Sequence, residues 1–357
     1  MFFFVSVIRF LVYRSISIIV AVVLATSITI YVANWGGKLD QIILSQIEFE
    51  ISQQVATNPA FRGLSEEEKA QYIRTQVELY KKALGFDSPF FPDRFFKYLW
   101  KYLTLDFGNA FFIHAKSGSL KVIDVIAERL PYTVILFTTA TLLSALLGLF
   151  IAFIVSKKAL TVLDKVITPL SFTTYVLPTW FMGIFAILIF AYTLKILPPG
   201  GMFSPGVPEE PLPRLIDFLW HLTLPLTAWI ISTFGYWTYV FRSMLTQLYE
   251  EDFVKAAYAR GLPPQMIDRR YVLRNVMPPF ITLVSLSLVF SIAGAPITEY
   301  VFNWEGLGGL LLAAASVGDA PIVIGSTIIF AYLLAITVII LEIVYAIVDP
   351  RIRAERK

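Results

Sequence analysis

The sequence has no cysteine and only two histidines, His114 and His221, which stand far apart beside aromatic residues. Disulfides and thiolate-bound metal are therefore excluded, and a zinc site, which normally gathers three or four clustered ligands, is not expected. Charge is scarce as well: 15% of the residues are Asp, Glu, Lys or Arg, and the net charge is +3. The basic residues lie between apolar segments and form no patch, which argues against a nucleic-acid partner. No G-x-x-x-x-G-K-[ST] loop occurs, so the chain shows no phosphate cradle of that type. Neither a cofactor nor a catalytic residue is expected in it.

What fills the chain is apolar sequence, 57% of its 357 residues, gathered into runs long enough to need lipid as solvent. The first, from about Phe10 to Val32, follows Arg9 and contains Arg14. It is too long for the h-region of a signal peptide and reads as a retained helix. Five more follow at about Pro131 to Val155, Val166 to Thr193, Leu222 to Phe241, Met277 to Ile297 and Ile322 to Ile347. The expected fold is an all-α polytopic membrane protein of six transmembrane helices with an extracytoplasmic insertion between the first and second. Pro178 and Pro225 fall inside spans, where each removes a backbone hydrogen bond and bends the helix.

Short loops set the orientation. Lys157, Lys158 and Lys165 follow the second span, Lys255, Arg260, Arg269, Arg270 and Arg274 follow the fourth, and Arg351, Arg353, Arg356 and Lys357 end the chain. Positive charge marks the cytoplasmic side. The organisation expected is a first helix with a cytoplasmic N-terminus at 1–35, an extracytoplasmic segment at 36–129, a five-helix core at 130–350 and a cytoplasmic tail at 351–357. The segment at 36–129 is of ordinary polarity. Within it Ser65-Glu66-Glu67-Glu68 forms a capping box and Gly85 a left-handed stop, which predicts a surface helix between them. Its many aromatic residues suit the membrane surface.

The cytoplasmic connection at 242–276 is long for a loop between packed helices. Tyr249, Phe253, Ala256 and Ala257 recur at helical spacing on one face, opposite Glu250, Glu251, Asp252 and Lys255. The helix is expected to stop at Gly261, and Pro263 and Pro264 favour the first turn of a second, in which Ile267 and Tyr271 share a face. Small alanines permit close approach by another surface, so the hairpin suits docking onto a partner; lying on lipid headgroups is the alternative.

The stretch Asp252-Phe253-Val254-Lys255-Ala256-Ala257-Tyr258-Ala259-Arg260-Gly261-Leu262, with Leu273-Arg274-Asn275 and Pro279 after it, resembles the coupling loop of binding-protein-dependent ABC importer permeases, closest to the dipeptide/oligopeptide family. Further pieces match in the family's order: Leu84-Gly85-Phe86-Asp87-Ser88-Pro89, Leu105-Asp106-Phe107-Gly108, Leu130-Pro131-Tyr132-Thr133, Glu299-Tyr300-Val301-Phe302-Asn303-Trp304 with Gly306-Leu307-Gly308, and Tyr345-Ala346-Ile347-Val348-Asp349-Pro350-Arg351. Glu305, Gly309, Tyr258 and Pro263-Pro264 depart from the family pattern.

The resemblance implies a transport subunit, not an enzyme. It implies a second homologous permease, two cytoplasmic ATPase subunits that hold ATP and Mg, and an extracytoplasmic solute-binding protein. Asp252, Lys255, Ala256, Ala257, Gly261, Leu262, Arg274 and Asn275 would form the ATPase-coupling loop, while Glu299, Trp304 and Pro178 are the expected outer-gate or pathway residues. Oligopeptides or dipeptides are the first expected solutes and oligosaccharides the second. A stand-alone ion-coupled transporter or channel is the competing class. It predicts polar mid-membrane linings or an inverted repeat, neither of which is evident in the sequence.

Overall fold

A computed structural model describes residues 2–157, 161–291 and 295–348. Lys158 and the 351–357 tail, two elements of the orientation argument, lie outside these. Among the described residues, all named elements are helical. Five helices are long and apolar enough to cross a bilayer, and a bent pair raises the number to as many as six. The chain divides into two compact units, residues 1–128 with 311–335, and 129–310 with 336–357.

In the first unit, α1 (Phe2–Ala33) ends at Asn34, and Gly36 and Gly37 turn the chain with φ of +66° and +73° into α2 (Lys38–Thr57). Side chains rarely tolerate that backbone region, which is why two glycines stand there. Helix α2 packs on α3 (Glu66–Ala83), whose start is the expected capping box: the Ser65 hydroxyl accepts from Glu68 N–H, and the Glu68 carboxylate accepts from Ser65 N–H at 2.8 Å. These bonds hold the Glu68 carboxyl below its usual range. A short helix, α4 (Phe95–Leu103), lies on α1. Before it Arg94, buried, pairs with Asp40 through both guanidinium nitrogens and sits 4.6 Å over the Phe86 ring. The buried Asp319 carboxylate accepts the successive N–H groups of Phe111, Phe112 and Ile113 at 3.0, 2.8 and 3.2 Å, and the Tyr332 hydroxyl donates to Leu103 O.

The second unit takes α5 (Val122–Ser156) from Arg129 onward, then α6 (Val162–Val176), α7 (Thr179–Ala186), α8 (Pro211–Glu250), α9 (Asp252–Ala259), α10 (Pro264–Ile267), α11 (Arg274–Ser291) and α12 (Pro296–Val301). Two more helices, α13 (Leu307–Val317) and α14 (Ala320–Val348), belong partly to each unit. The expected span at 166–193 is not one helix. At Leu177-Pro178 the chain turns extended, and the helices on either side, α6 and the run from Thr179 to Thr193, meet at 100°. Proline cannot donate to Thr174 O and disfavours helical geometry in the residue before it, which favours a break at this ring. Pro225, in contrast, lies inside α8, which continues past it as one helix.

Helices α6 and α7 pack along α8. The approach is close: a Cβ on Gly235 of α8 would lie 2.1 Å from Ser171 O of α6, and one on Gly148 of α5 would lie 2.3 Å from Trp237 Cβ. In lipid, where apolar surface is not scarce, such small-residue contacts carry much of the helix association. A partly buried ion pair links the entry of α6 to α8. Arg242 Nε–H and Nη2–H donate to the two Asp164 oxygens, each at 2.6 Å. The planar fork matches the carboxylate edge, the geometry that makes such a pair worth its desolvation.

Candidate functional site

Halfway along α5 and α8, and at the ends of α6 and α11, the second unit holds a cavity of about 470 Å³. Thr141 and Ser144 line it from α5, Tyr175 from α6, Trp229, Thr233, Tyr236 and Trp237 from α8, and Ser287, Phe290 and Ser291 from α11. No charged side chain is among them. This lining was missed in the sequence. The signal was there as hydroxyls at helical spacing, Thr141 with Ser144 and Ser287 with Ser291, each facing one way on its helix.

The rings are fixed by neighbours. Trp229 meets Phe137 edge-on at 4.6 Å between centroids, Trp237 stacks on Phe241 at 5.7 Å, and Tyr175 reaches Tyr236 from α6 at 5.3 Å. Trp237 also belongs to a second setting, the apolar core formed with Phe241, Leu245, Val254, Ala257, Ile267, Val272 and Val276. That core is the floor under the hairpin at 252–275. Trp237 is thus shared by the cavity wall and the base of the loop, and Tyr236, also in the lining, packs against the same core.

The hairpin is helix, glycine turn, helix. Helix α9 ends before Gly261, whose φ is +72°, and Pro264 opens α10. The face that the sequence pattern gives to Tyr249, Phe253, Ala256 and Ala257 is divided in the structure, with Tyr249 and Ala257 packed on the core. Val254 and Ala257 are buried, whereas Phe253 and Ala256 point outward. The reason is a break the periodicity did not reveal: α8 continues through Tyr249 to Glu250, Glu251 adopts extended geometry, and the helical count restarts at Asp252. Asp252, Lys255, Ala256 and Gly261 are exposed at the tip, Leu262 is half-buried, and Arg274 and Asn275 are exposed at the start of α11. Asp268 braces the hairpin, accepting from the Tyr249 hydroxyl at 2.7 Å and from Lys157. Lys157, read from the sequence as topological charge alone, therefore also has a structural bond.

The three expected pathway residues lie elsewhere, and none lines the cavity. Pro178 marks the α6–α7 break. Trp304 is buried and donates its indole N–H to Tyr132 O at 3.1 Å. Glu299 is wholly buried: its carboxylate accepts from the Thr133 hydroxyl and from Gly309 N–H, both at 2.7 Å, and Thr133 in turn accepts from Leu307 N–H. Burial pushes this carboxyl up, and the bonds from Gly309, Thr133 and Gly308 oppose that shift. A Cβ on Gly306 would lie 2.3 Å from its Oε1 and one on Gly308 would lie 3.1 Å from its Oε2, so these glycines make room for a carboxylate hub. Arg129 closes the same region by donating to Glu305 at 2.9 Å.

A family model described as binding-protein-dependent transport system inner membrane component matches residues 130–354. The chain is similar to the oligopeptide transport system permease protein AppB of Bacillus subtilis, 28% identical over 259 residues that cover 72% of this chain and 79% of that protein. It is 26% identical over 312 residues to the dipeptide transport system permease protein DppB of Escherichia coli K12, covering 83% and 88% of the two chains. With the peptidoglycan transport system permease protein YejB of Agrobacterium fabrum it shares 29% over 306 residues, 79% and 77% of the two.

Proposed function

Because the chain belongs to the family of binding-protein-dependent transport system inner membrane components, we propose that it is the permease subunit of an ATP-binding cassette importer that moves dipeptides or oligopeptides into the cell. It is a transport subunit without catalytic residues of its own. Six spans cross the membrane with both termini in the cytoplasm, and the 36–129 segment lies outside. A second permease completes the pathway, an extracytoplasmic binding protein delivers solute, and two ATPase subunits holding ATP and Mg dock on Ala256, Gly261 and their exposed neighbours.

One observation carries the mechanism: the apolar core beneath α9 includes Trp237, and Trp237 lines the cavity. A force applied at the exposed tip bears on Ala257 and Val254, which pack into that core beside Phe241 and Leu245. Close-packed interiors transmit displacement because they contain little void to absorb it. Movement of α9 as the ATPases close is thereby delivered to the cavity wall on α8. The hub at Glu299 and the break at Pro178 supply the stiff frame and the bend around which α7 and α8 rearrange.

Peptide import rests on the relatives named for oligopeptide and dipeptide transport. The test is uptake of labelled peptide into proteoliposomes that contain both permeases and both ATPases, with the binding protein and ATP supplied. Failure of excess unlabelled peptide to compete, with competition by an oligosaccharide instead, would move the assignment to the second solute class. Uptake by this chain alone without nucleotide would move it to the ion-coupled or channel class.

A further inference from the structure

The lining of the cavity is made of hydroxyls and aromatic rings. Three of its hydroxyls spend their single proton within their own helix: Ser144 Oγ–H on Thr141 O, Thr233 Oγ1–H on Trp229 O and Ser291 Oγ–H on Leu288 O, at 3.1, 2.8 and 2.9 Å. A hydroxyl has one proton and two lone pairs, so these oxygens have only acceptor capacity left for a solute. Around them stand Tyr175, Trp229, Tyr236 and Trp237, whose ring faces carry negative electrostatic potential. Among the described residues, no Lys or Arg lines the cavity to meet an anion, and no Asp or Glu lines it to hold a cation so tightly that it stays.

From this we infer that the pathway favours peptides of net positive charge over anionic ones, with Trp229 and Tyr236 as specificity-determining residues. The inference rests on the peptide-import reading above. An ammonium entering the cavity exchanges water for acceptor oxygens and aromatic faces, a weak and reversible set of contacts suited to passage. A carboxylate can accept from the indole N–H and phenol O–H groups of the same lining, but it meets no cation and faces rings of negative potential, which leaves it less well compensated for its lost hydration than an ammonium. The preference is separate from whatever the binding protein selects, because it acts after release.

The experiment uses the complete importer in proteoliposomes and three probes, Ala-Lys-Ala, Ala-Ala-Ala and Ala-Glu-Ala, each at a concentration that saturates the binding protein. The expected order of uptake is lysine, then alanine, then glutamate peptide. Trp229→Leu or Tyr236→Leu is expected to lower the lysine-to-glutamate ratio by about threefold or more, and Trp229→Phe, which keeps a ring face, to restore most of it. A ratio taken within one preparation is insensitive to how much variant folds, and the wild-type order is itself a test that needs no variant. Equal uptake of all three probes, or a ratio unmoved by both leucine variants, overturns the charge preference and leaves peptide import standing. No uptake of any probe by the wild-type importer, with ATP hydrolysis intact, defeats both.

Discussion

Replacing Gly261 with valine isolates one physical quantity. The residue has φ of +72°, and a Cβ built there meets nothing within 4 Å. The added Cβ therefore creates no clash in this chain, and the main cost of the substitution is backbone strain. For an ordinary residue that cost is about 1–2 kcal/mol, and β-branching places valine at or above the upper end. If the turn must form for docking, about 2 kcal/mol lowers the docked fraction roughly thirtyfold when the ATPases are limiting. Asparagine visits the left-handed region with little penalty, so Gly261→Asn should lose only a small part of this. The assay compares peptide uptake and peptide-stimulated ATP hydrolysis in the same vesicles while the ATPase concentration is varied. For valine, both should fall at low ATPase and recover as it is raised; for asparagine, both should stay near wild type. Uptake by the valine variant that matches wild type at limiting ATPase would refute the role given to this turn. A loss that extra ATPase never repairs would show a defect elsewhere.

Breaking the Asp164–Arg242 pair from one side, by Asp164→Asn or Arg242→Leu, should cost about 3 kcal/mol by leaving an uncompensated partner, read as a lower thermal midpoint in detergent. The double variant Asp164→Leu/Arg242→Leu should be more stable than Arg242→Leu alone. Gly306→Ala should be as damaging as Glu299→Ala, since its Cβ would lie 2.3 Å from the Glu299 carboxylate; equal proteolytic resistance of Gly306→Ala and wild type would contradict the hub. The Glu68 carboxyl is lowered by its bonds to Ser65, so its contribution to the start of α3 is present above its unfolded pKa and lost as pH falls through the folded one. Hydrogen exchange in the first turn of α3, measured relative to Glu68→Gln, should show protection at neutral pH that disappears in acid.

Much of this was legible because lipid imposes a strong code. Apolar runs of span length, the box at Ser65 to Glu68, and the turns at Gly85 and Gly261 are decided by local chemistry, and the structure has a helix or a positive φ at each. What local chemistry does not decide was read less well. The 100° break at Pro178 and the continuous helix through Pro225 involve the same residue type, so the residue alone does not decide the outcome. The division of the α9 pattern into a buried Ala257 and an exposed Ala256 was not legible, because Glu251 ends one helix and caps another without a glycine or proline to announce it. Glu299 read as a carboxylate at an outer gate, yet its partners come from Thr133 and Gly309, one of them 166 positions away in the chain. The cavity was missed because its wall is shared among four helices, none of which is conspicuously polar alone.

The double membership of Trp237 limits how such a machine can be altered. On the proposed mechanism, a change of side chain at that position, meant to widen what is carried, would also loosen the core through which the ATPases would push. Breadth and drive cannot be adjusted independently there. Broader cargo must be sought at rings such as Tyr175 or Trp229, outside the shared floor.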